Sequence, residues 1–314
     1  MDCSVIIATY NRARLLRQTL ASLGTQVLPP GLDWEIVVVD NNSKDDTRQV
    51  VDSFARQSGI PIRYLFEGRQ GKSFALNCAL PVSRGEILAF TDDDITPRHD
   101  WLQTTLGAIH GRGLDGVGGK VLPRWEVEPP GWLRERPHLL VWLAMIDNDE
   151  RRLLDYPITN QCRLVGANMA FHRALFDELG DFNTSLGHHG KRLYGTEETE
   201  LIHRLLKGGK RIGYEPDIVV YHHIGRGRLT KRFFLKRVFY QAVADAVMTD
   251  AGAPFAWRAE RWRYRYLAGS FVSVLARTLA RRGDAFECQL EFSKELGTLW
   301  ARTMRRPPPH TIAG

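Results

Sequence analysis

The chain has only four cysteines in 314 residues, Cys3, Cys78, Cys162 and Cys288, and none forms a Cys-x-x-Cys pair. That spacing argues against both a zinc site and a disulfide framework, and a reducing cytoplasm is the expected setting. A basic leader with an apolar core is also lacking, because the sequence runs at once into Ser4-Val5-Ile6-Ile7-Ala8; no secretory signal is expected. No apolar run reaches the roughly 18 residues needed to cross a bilayer. Zinc-finger spacing and aromatic RNA-binding motifs are missing, so no nucleic-acid partner is expected. The fragment Gly71-Lys72-Ser73 lacks the glycine that a phosphate-binding P-loop needs five residues earlier, where Phe66 stands.

What is present is an ordinary globular composition, 43% hydrophobic and 25% charged. The net charge of +7 is unevenly placed. Residues 226–314 hold 17 Lys and Arg against 7 Asp and Glu, whereas residues 1–225 hold 26 against 29. Such a polarised chain predicts that its last third faces an anionic surface.

The central feature is Ile87-Leu88-Ala89-Phe90, which delivers Thr91 and three consecutive carboxylates, Asp92, Asp93 and Asp94. A short apolar run before a proline, Pro97, reads as a buried strand. Adjacent carboxylates at a strand end repel one another unless a cation joins them. Mg2+ or Mn2+ suits such a place, since it takes one or two carboxylates and completes its shell with water and phosphate oxygens. The competing reading makes Asp92 to Asp94 the cap of a helix starting near Asp100.

Before this strand, Ser4–Ala8 and Trp34–Val39 are apolar strands that end at Thr9-Tyr10-Asn11 and at Asp40, each followed by a helical pattern. Ile62–Phe66 is a weaker strand, and a helix follows from Phe74. Open parallel α/β sheets bind ligands beyond the carboxyl ends of their strands, so Thr9, Asn11, Asp40 and the three Asp are expected to converge. Arg69 and Lys72, beside a helix start, suit a diphosphate.

Farther on, 101–111 reads as a helix, 117–122 as a strand, 139–146 as a core helix or lid, and 163–171 as extended. Arg211–Glu215 and Ile218–Tyr221 read as two short strands, the second delivering His222. Glu197, Glu198 and Glu200 open a helix, where acids favour the dipole whatever else they do.

Together these landmarks resemble the family 2 glycosyltransferases, nucleotide-sugar-dependent enzymes of the GT-A fold. The resemblance covers about residues 3–240. It rests on Ala8-Thr9-Tyr10-Asn11, Val38-Val39-Asp40-Asn41-Asn42-Ser43-Lys44-Asp45, Gly71-Lys72 with Asn77, Thr91-Asp92-Asp93-Asp94, Gly166-Ala167-Asn168, Gly180-Asp181-Phe182, Glu197-Glu198-Thr199-Glu200-Leu201 and Tyr221-His222. It implies a Rossmann-like α/β fold, a mixed, mainly parallel sheet flanked by helices. Residues 1–225 would form the catalytic domain, with 1–120 as nucleotide-sugar half and 121–225 as acceptor half. Residues 226–314 would form a basic, mainly helical extension.

The resemblance also implies roles. Thr9, Tyr10, Asn11 and Asp40 become nucleotide contacts, with Asp40 accepting from uracil N–H in a UDP-sugar, and Arg69 and Lys72 become base and diphosphate contacts. Asp94, with Asp92 and His222, becomes the Mg2+ or Mn2+ set, while Asp92 or Asp93 faces the ribose. Gly166, Asn168 and Glu197 line the acceptor. The family's base usually sits in a Glu-Asp pair, and here the pair is Glu197-Glu198, so the base is Glu198 or, one residue earlier, Glu197. The implied reaction is inverting transfer of a sugar to a glycan or polyprenyl-linked acceptor, in polysaccharide synthesis. Nucleotidyl transfer and non-catalytic binding of a nucleotide-sugar are the alternatives.

The basic third supplies two helix candidates for an anionic membrane surface, around 226–240 and at Trp257–Arg265, where aromatics alternate with arginines. The competing expectation is that these apolar residues close the catalytic domain's core and Arg228 or Arg232 contacts the diphosphate. The expected localisation is cytoplasmic, with a peripheral position on the cytoplasmic face of the membrane.

Overall fold

The computed structural model describes residues 1–156, 163–186, 196–249, 257–280 and 282–303. Cys162 and, in the stretch Trp257–Arg265, the side chains of Trp257 and Arg258 lie outside the described residues. The chain divides into two compact units, Met1–Thr184 with Glu197–Gly225, and Ser185–Thr196 with Arg226–Gly314.

In the first unit, β1 (Cys3–Thr9), α1 (Ala13–Leu23), β2 (Trp34–Asp40), α2 (Thr47–Ser58), β3 (Ile62–Phe66), α3 (Lys72–Ala79) and β4 (Ile87–Asp92) alternate as the apolar runs predict. Next come β5 (Ile95–Pro97), α4 (Trp101–Arg112), β6 (Gly116–Trp125), α5 (Gly131–Arg134) and β7 (Arg152–Leu153). Then β8 (Met169–His172), α6 (Ala174–Leu179), α7 (Glu197–Lys207) and β9 (Ile212–Ile224) complete the unit. Among the described residues one sheet runs β3-β2-β1-β4-β8-β6-β9-β5, with β7 also paired to β9. The longest ladders, β1 with β2 and β4, β2 with β3, and β6 with β9, are parallel, and β8 enters antiparallel between β4 and β6.

Near-continuous apolar runs such as Ile36–Val39 follow from burial on both sheet faces. On one side Phe90, Phe171, Phe176 and Phe182 pack together, with Phe90 and Phe182 edge to face at 5.3 Å between ring centres. Leu201, Ile202 and Leu205, one face of α7, join that cluster, which fixes where its N-terminal glutamates stand.

Several expectations change. The two short strands around 211–221 are one strand, β9, because β6 pairs with it along its length through a register shift at Gly119 and Lys120. The extended stretch 163–171 pairs only from Met169; Gly166 and Ala167 form a turn. Residues 139–146 hold a 3-10 helix, Pro137–Leu143, with Leu139 and Leu143 buried. The helix after the triple Asp begins at Trp101 with Asp100 at its N-cap, so Asp92 to Asp94 cap nothing.

The second unit contains α8 (Lys231–Thr249), α9 (Trp257–Leu279) and α10 (Ala285–Thr303). Phe234, Val238, Val243 and Ala244 of α8 are buried. Gly297 of α10 comes so close that an added Cβ would stand 2.4 Å from the Phe239 carbonyl, and Ser293 donates to the Leu235 carbonyl at 2.8 Å. The apolar side of α8 thus closes this unit's own core, which corrects the expectation that it forms a lipid-facing surface. No described helix is long and apolar enough to cross a membrane.

Candidate active site

Parallel register brings the strand ends together: Thr9 pairs with Asp40 and Ala8 with Asp92. Asp92 is the last residue of β4, and Asp93 and Asp94 make the turn into β5. Thr19 of α1 pins that turn, its hydroxyl donating to the carbonyls of Asp93 at 3.0 Å and Ile95 at 2.7 Å. β5 pairs antiparallel with β9 so that Ile95 faces His222. The His223 N–H donates to the Asp94 carbonyl at 2.8 Å, and His222 Nε2 stands 3.4 Å from Asp94 Oδ2. A three-residue strand that sequence periodicity did not reveal therefore joins the acidic turn to the histidine.

Arg12 is the cation at this turn. Its Nη1 reaches Asp93 Oδ1 at 2.8 Å and Asp94 Oδ2 at 3.0 Å, while the Thr9 hydroxyl donates to Asp93 Oδ2 at 2.8 Å. Asp93 is thus turned inward and held on both oxygens. Burial pushes its carboxyl up to about 6 despite Arg12, and Asp94 adds to the rise. Arg12 is held above its ordinary value by Asp93 first, against its own burial.

Asp92 points elsewhere. Lys72 Nζ lies 2.7 Å from Asp92 Oδ1 and 3.6 Å from Glu198 Oε1. Burial alone would lower the Lys72 ammonium, but Asp92, Glu198 and Glu197 together outweigh it and the net shift is upward. Gly71 places this lysine: its φ of 145° is a glycine conformation, and its N–H donates to Asn41 Oδ1 at 2.8 Å.

Glu198 and Glu197 open α7. A Cβ at Gly166 would stand 2.3 Å from Glu198 Oε1, so the turn carrying Gly166 admits the carboxylate only because it has no side chain. That turn is fixed by Asn168, which is buried. Its amide donates to the carbonyls of Lys120 at 2.8 Å and Ile218 at 3.0 Å, and its Oδ1 accepts from Trp101 Nε1 at 2.8 Å. Asn168, expected at the acceptor, is instead engaged as a staple between β6, β9 and α4. Glu197 is fully buried, and neither carboxylate oxygen accepts a hydrogen bond from the described residues. Burial first, then the neighbouring Glu198, raises its carboxyl well above the ordinary range.

Asp40 is buried, with Oδ1 accepting from the Ser43 N–H at 2.7 Å and Oδ2 from the Tyr64 hydroxyl at 2.7 Å. Asn11, at φ 52°, ties two loops together by accepting from the Lys44 N–H at 2.7 Å and donating its own N–H to Ser43 Oγ at 2.9 Å. Thr9 is buried behind Asp93, whereas Tyr10 is exposed. Arg69 pairs with Glu67 at 2.7 Å and lies over the Phe74 ring. Arg228 and Arg232 belong to the second unit, in the turn Arg226–Arg228 and the first turn of α8. Arg12, Tyr64 and Asn41 were not anticipated. Their roles rest on contacts across 24 to 82 residues of sequence, and the only available sign was the position of Arg12 beside the Tyr-Asn turn.

Among the described residues no three His, Cys, Asp or Glu side chains are grouped to hold a metal ion. The set still fits a hard divalent ion that phosphate oxygens complete: Asp94 with His222 beside it, Asp92 at the rim, and cationic Arg12 and Lys72 against those carboxylates.

The chain is 26% identical over 252 residues to the glucosyl-dolichyl phosphate glucuronosyltransferase of Haloferax volcanii, covering 79% of this chain and 77% of that one. Its structure resembles that of the mannosyltransferase PcManGT from Pyrobaculum calidifontis, solved with GDP-Man and Mn2+, at a TM-score of 0.62 and 22% identity over 95% of this chain and 86% of that one. It also resembles S. aureus TarS 1-349 in complex with UDP-GlcNAc, at a TM-score of 0.54 and 16% identity over 97% and 93% of the two chains. The architecture is the GT-A fold of these glycosyltransferases. The sequence profile of Glycosyl transferase family 2 matches residues 4–180, more than half of the chain, and the protein belongs to that family.

Proposed function

We propose that this glycosyltransferase moves a sugar from a nucleotide-sugar to a hydroxyl of a glycan or lipid-linked acceptor, with inversion at the anomeric carbon. The observation that carries the reading is Lys72, one ammonium within 2.7 Å of Asp92 and 3.6 Å of Glu198. It joins the acidic strand end, suited to the donor diphosphate, to a carboxylate suited to deprotonating an acceptor.

Asp94, with His222 and Asp92, would hold Mg2+ or Mn2+. Bound there, the ion supplies electrostatic neutralisation of the leaving diphosphate. Lys72, at the N-terminus of α3, adds a fixed positive charge on the same side. Asp40 accepts from a ring N–H of the base; each oxygen keeps a lone pair beyond its present partner. Such an acceptor suits uracil N3–H, and the UDP-GlcNAc complex of TarS supports a UDP-sugar. The GDP-Man complex of PcManGT supports the metal and leaves guanine, also a ring N–H donor, as the competing base.

Glu198 takes the proton of the attacking hydroxyl, a contribution of about 10²- to 10⁴-fold to rate. Glu197 is fully buried, which makes it the less suited of the two to meet an acceptor hydroxyl. The lipid-linked acceptor draws on the relative whose name specifies a glucosyl-dolichyl phosphate. Nucleoside diphosphate release from UDP- and GDP-sugars with Mn2+ and a polyprenyl-phosphate sugar tests the reading, with the product anomer read by NMR. Pyrophosphate release, or retention of the donor configuration, would overturn it.

A further inference from the structure

Helix α9 carries a face left exposed among the described residues. Val272 and Leu279 are 65% and 75% exposed, and Leu275 is exposed beside them. The packed side of the helix is fixed independently: Leu267 is buried, Arg263 pairs with Glu295 of α10 at 3.1 Å, and Phe271 meets Phe292 at 6.0 Å between ring centres. At 100° per residue, Val272, Leu275 and Leu279 fall within about a quarter of the helix circumference, and Arg261 and Arg265 fall in the same quarter toward the N-terminus. Trp262 and Tyr266 are exposed next to that pair, residue types that favour the headgroup level of a bilayer.

Charge decides the occupant. Residues 261–283 contain six Arg and no Asp, Glu or Lys. Arg263 and Arg277 are paired with Glu295 and Asp284, and Arg282 lies 3.5 Å from Asp284. Arg261 and Arg265 are exposed and make no ion pair with the described residues. We infer that this face of α9 lies on an anionic lipid surface, Arg261 and Arg265 against the headgroups and Val272, Leu275 and Leu279 in the acyl boundary. A helix of this kind lies in the interface with its apolar side about 5–10 Å deep and does not span. A second copy of the chain is disfavoured as occupant, because docking there brings two sets of unpaired arginines together. The proposal goes beyond the transferase reading and does not depend on it.

Cosedimentation of the full chain with phosphatidylcholine vesicles, with and without phosphatidylglycerol, tests it. Binding is expected only with the anionic lipid and weakens as salt rises. The double variant Arg261→Gln/Arg265→Gln loses at least about tenfold in partition, and Val272→Ser/Leu275→Ser/Leu279→Ser loses a similar factor. Nucleoside diphosphate binding is measured on the same proteins and stays unchanged, which separates this proposal from the function proposed above. Absence of binding to the anionic vesicles overturns it, as does binding that both variants keep. Self-association that the serine variant abolishes, without vesicle binding, would assign the face to a second copy.

Discussion

A methyl group added at Gly166 would lie 2.3 Å from Glu198 Oε1 and 2.9 Å from its Cγ. Both distances are far inside van der Waals contact, and Asn168 fixes the Gly166 turn through three hydrogen bonds to the sheet and α4. Glu198 must then be the group that moves. Gly166→Ala is expected to lower turnover by about tenfold or more, with donor affinity retained, because an ångström of misplacement at a reacting group is costly. Unchanged kcat in that variant would show that Glu198 does not need its present position.

The two glutamates separate by pH as well as by activity. Glu198→Gln should lower turnover by about 10² or more while nucleotide binding persists. Glu197 has a folded-state value above its unfolded one. Below the unfolded value both states hold the proton; above it the unfolded chain releases a proton that the folded chain keeps, so stability falls as pH rises through that window. Glu197→Gln removes this loss, and its melting temperature relative to wild type should climb as pH rises above the unfolded glutamate value. A difference that is flat with pH would mean that Glu197 is not held protonated, and an inactive Glu197→Gln beside an active Glu198→Gln would move the base by one residue.

The strand ends at Thr9, Asp40 and Asp92 were legible because each closes a short apolar run, and parallel register aligns them. The side-chain directions were not. Three consecutive Asp look equivalent in sequence, yet Asp93 turns inward to Thr9 and Arg12, Asp92 to Lys72, and Asp94 to Arg12 and His222. What divides them is the turn into β5, a strand of three residues that exists through its pairing to β9, 127 residues distant at Ile95–His222, and that is too short for any periodicity. Asn168 shows the same limit: its amide serves the backbone, and only packing reveals that. In the last third, the alternation of aromatic and basic residues was visible, but whether α8 or α9 buries its apolar side depended on α10.

Lys72 is expected to be needed for both folding and turnover. It stands between Asp92 and Glu198 in a largely buried position, and removing one partner from a buried pair costs on the order of 3 kcal/mol. Its folded-state value is raised, so this stabilisation is complete below the unfolded lysine value and is lost only as pH rises through the folded one. Lys72→Met should therefore lower the melting temperature throughout neutral pH and weaken nucleoside diphosphate binding. Full nucleotide affinity in that variant would remove Lys72 from the diphosphate site.

Arg12 and a divalent ion compete for one oxygen. The guanidinium lies 3.0 Å from Asp94 Oδ2, the atom that His222 Nε2 approaches at 3.4 Å, and the Arg12 side chain is 41% exposed, with room to withdraw. An ion on that oxygen opposes a guanidinium at the same place, so Arg12 must give up Asp94 while keeping Asp93. Arg12→Gln leaves two buried carboxylates without their cation, and the free protein should melt lower than wild type. It should also bind Mn2+ more tightly in the absence of nucleotide, by about tenfold, and gain more thermal stability from it, because an ion that binds only the folded state stabilises by mass action. Asp94→Ala supplies the control and should lose the Mn2+ response. Equal Mn2+ affinity in wild type and Arg12→Gln would show that the ion leaves the Arg12–Asp94 contact in place.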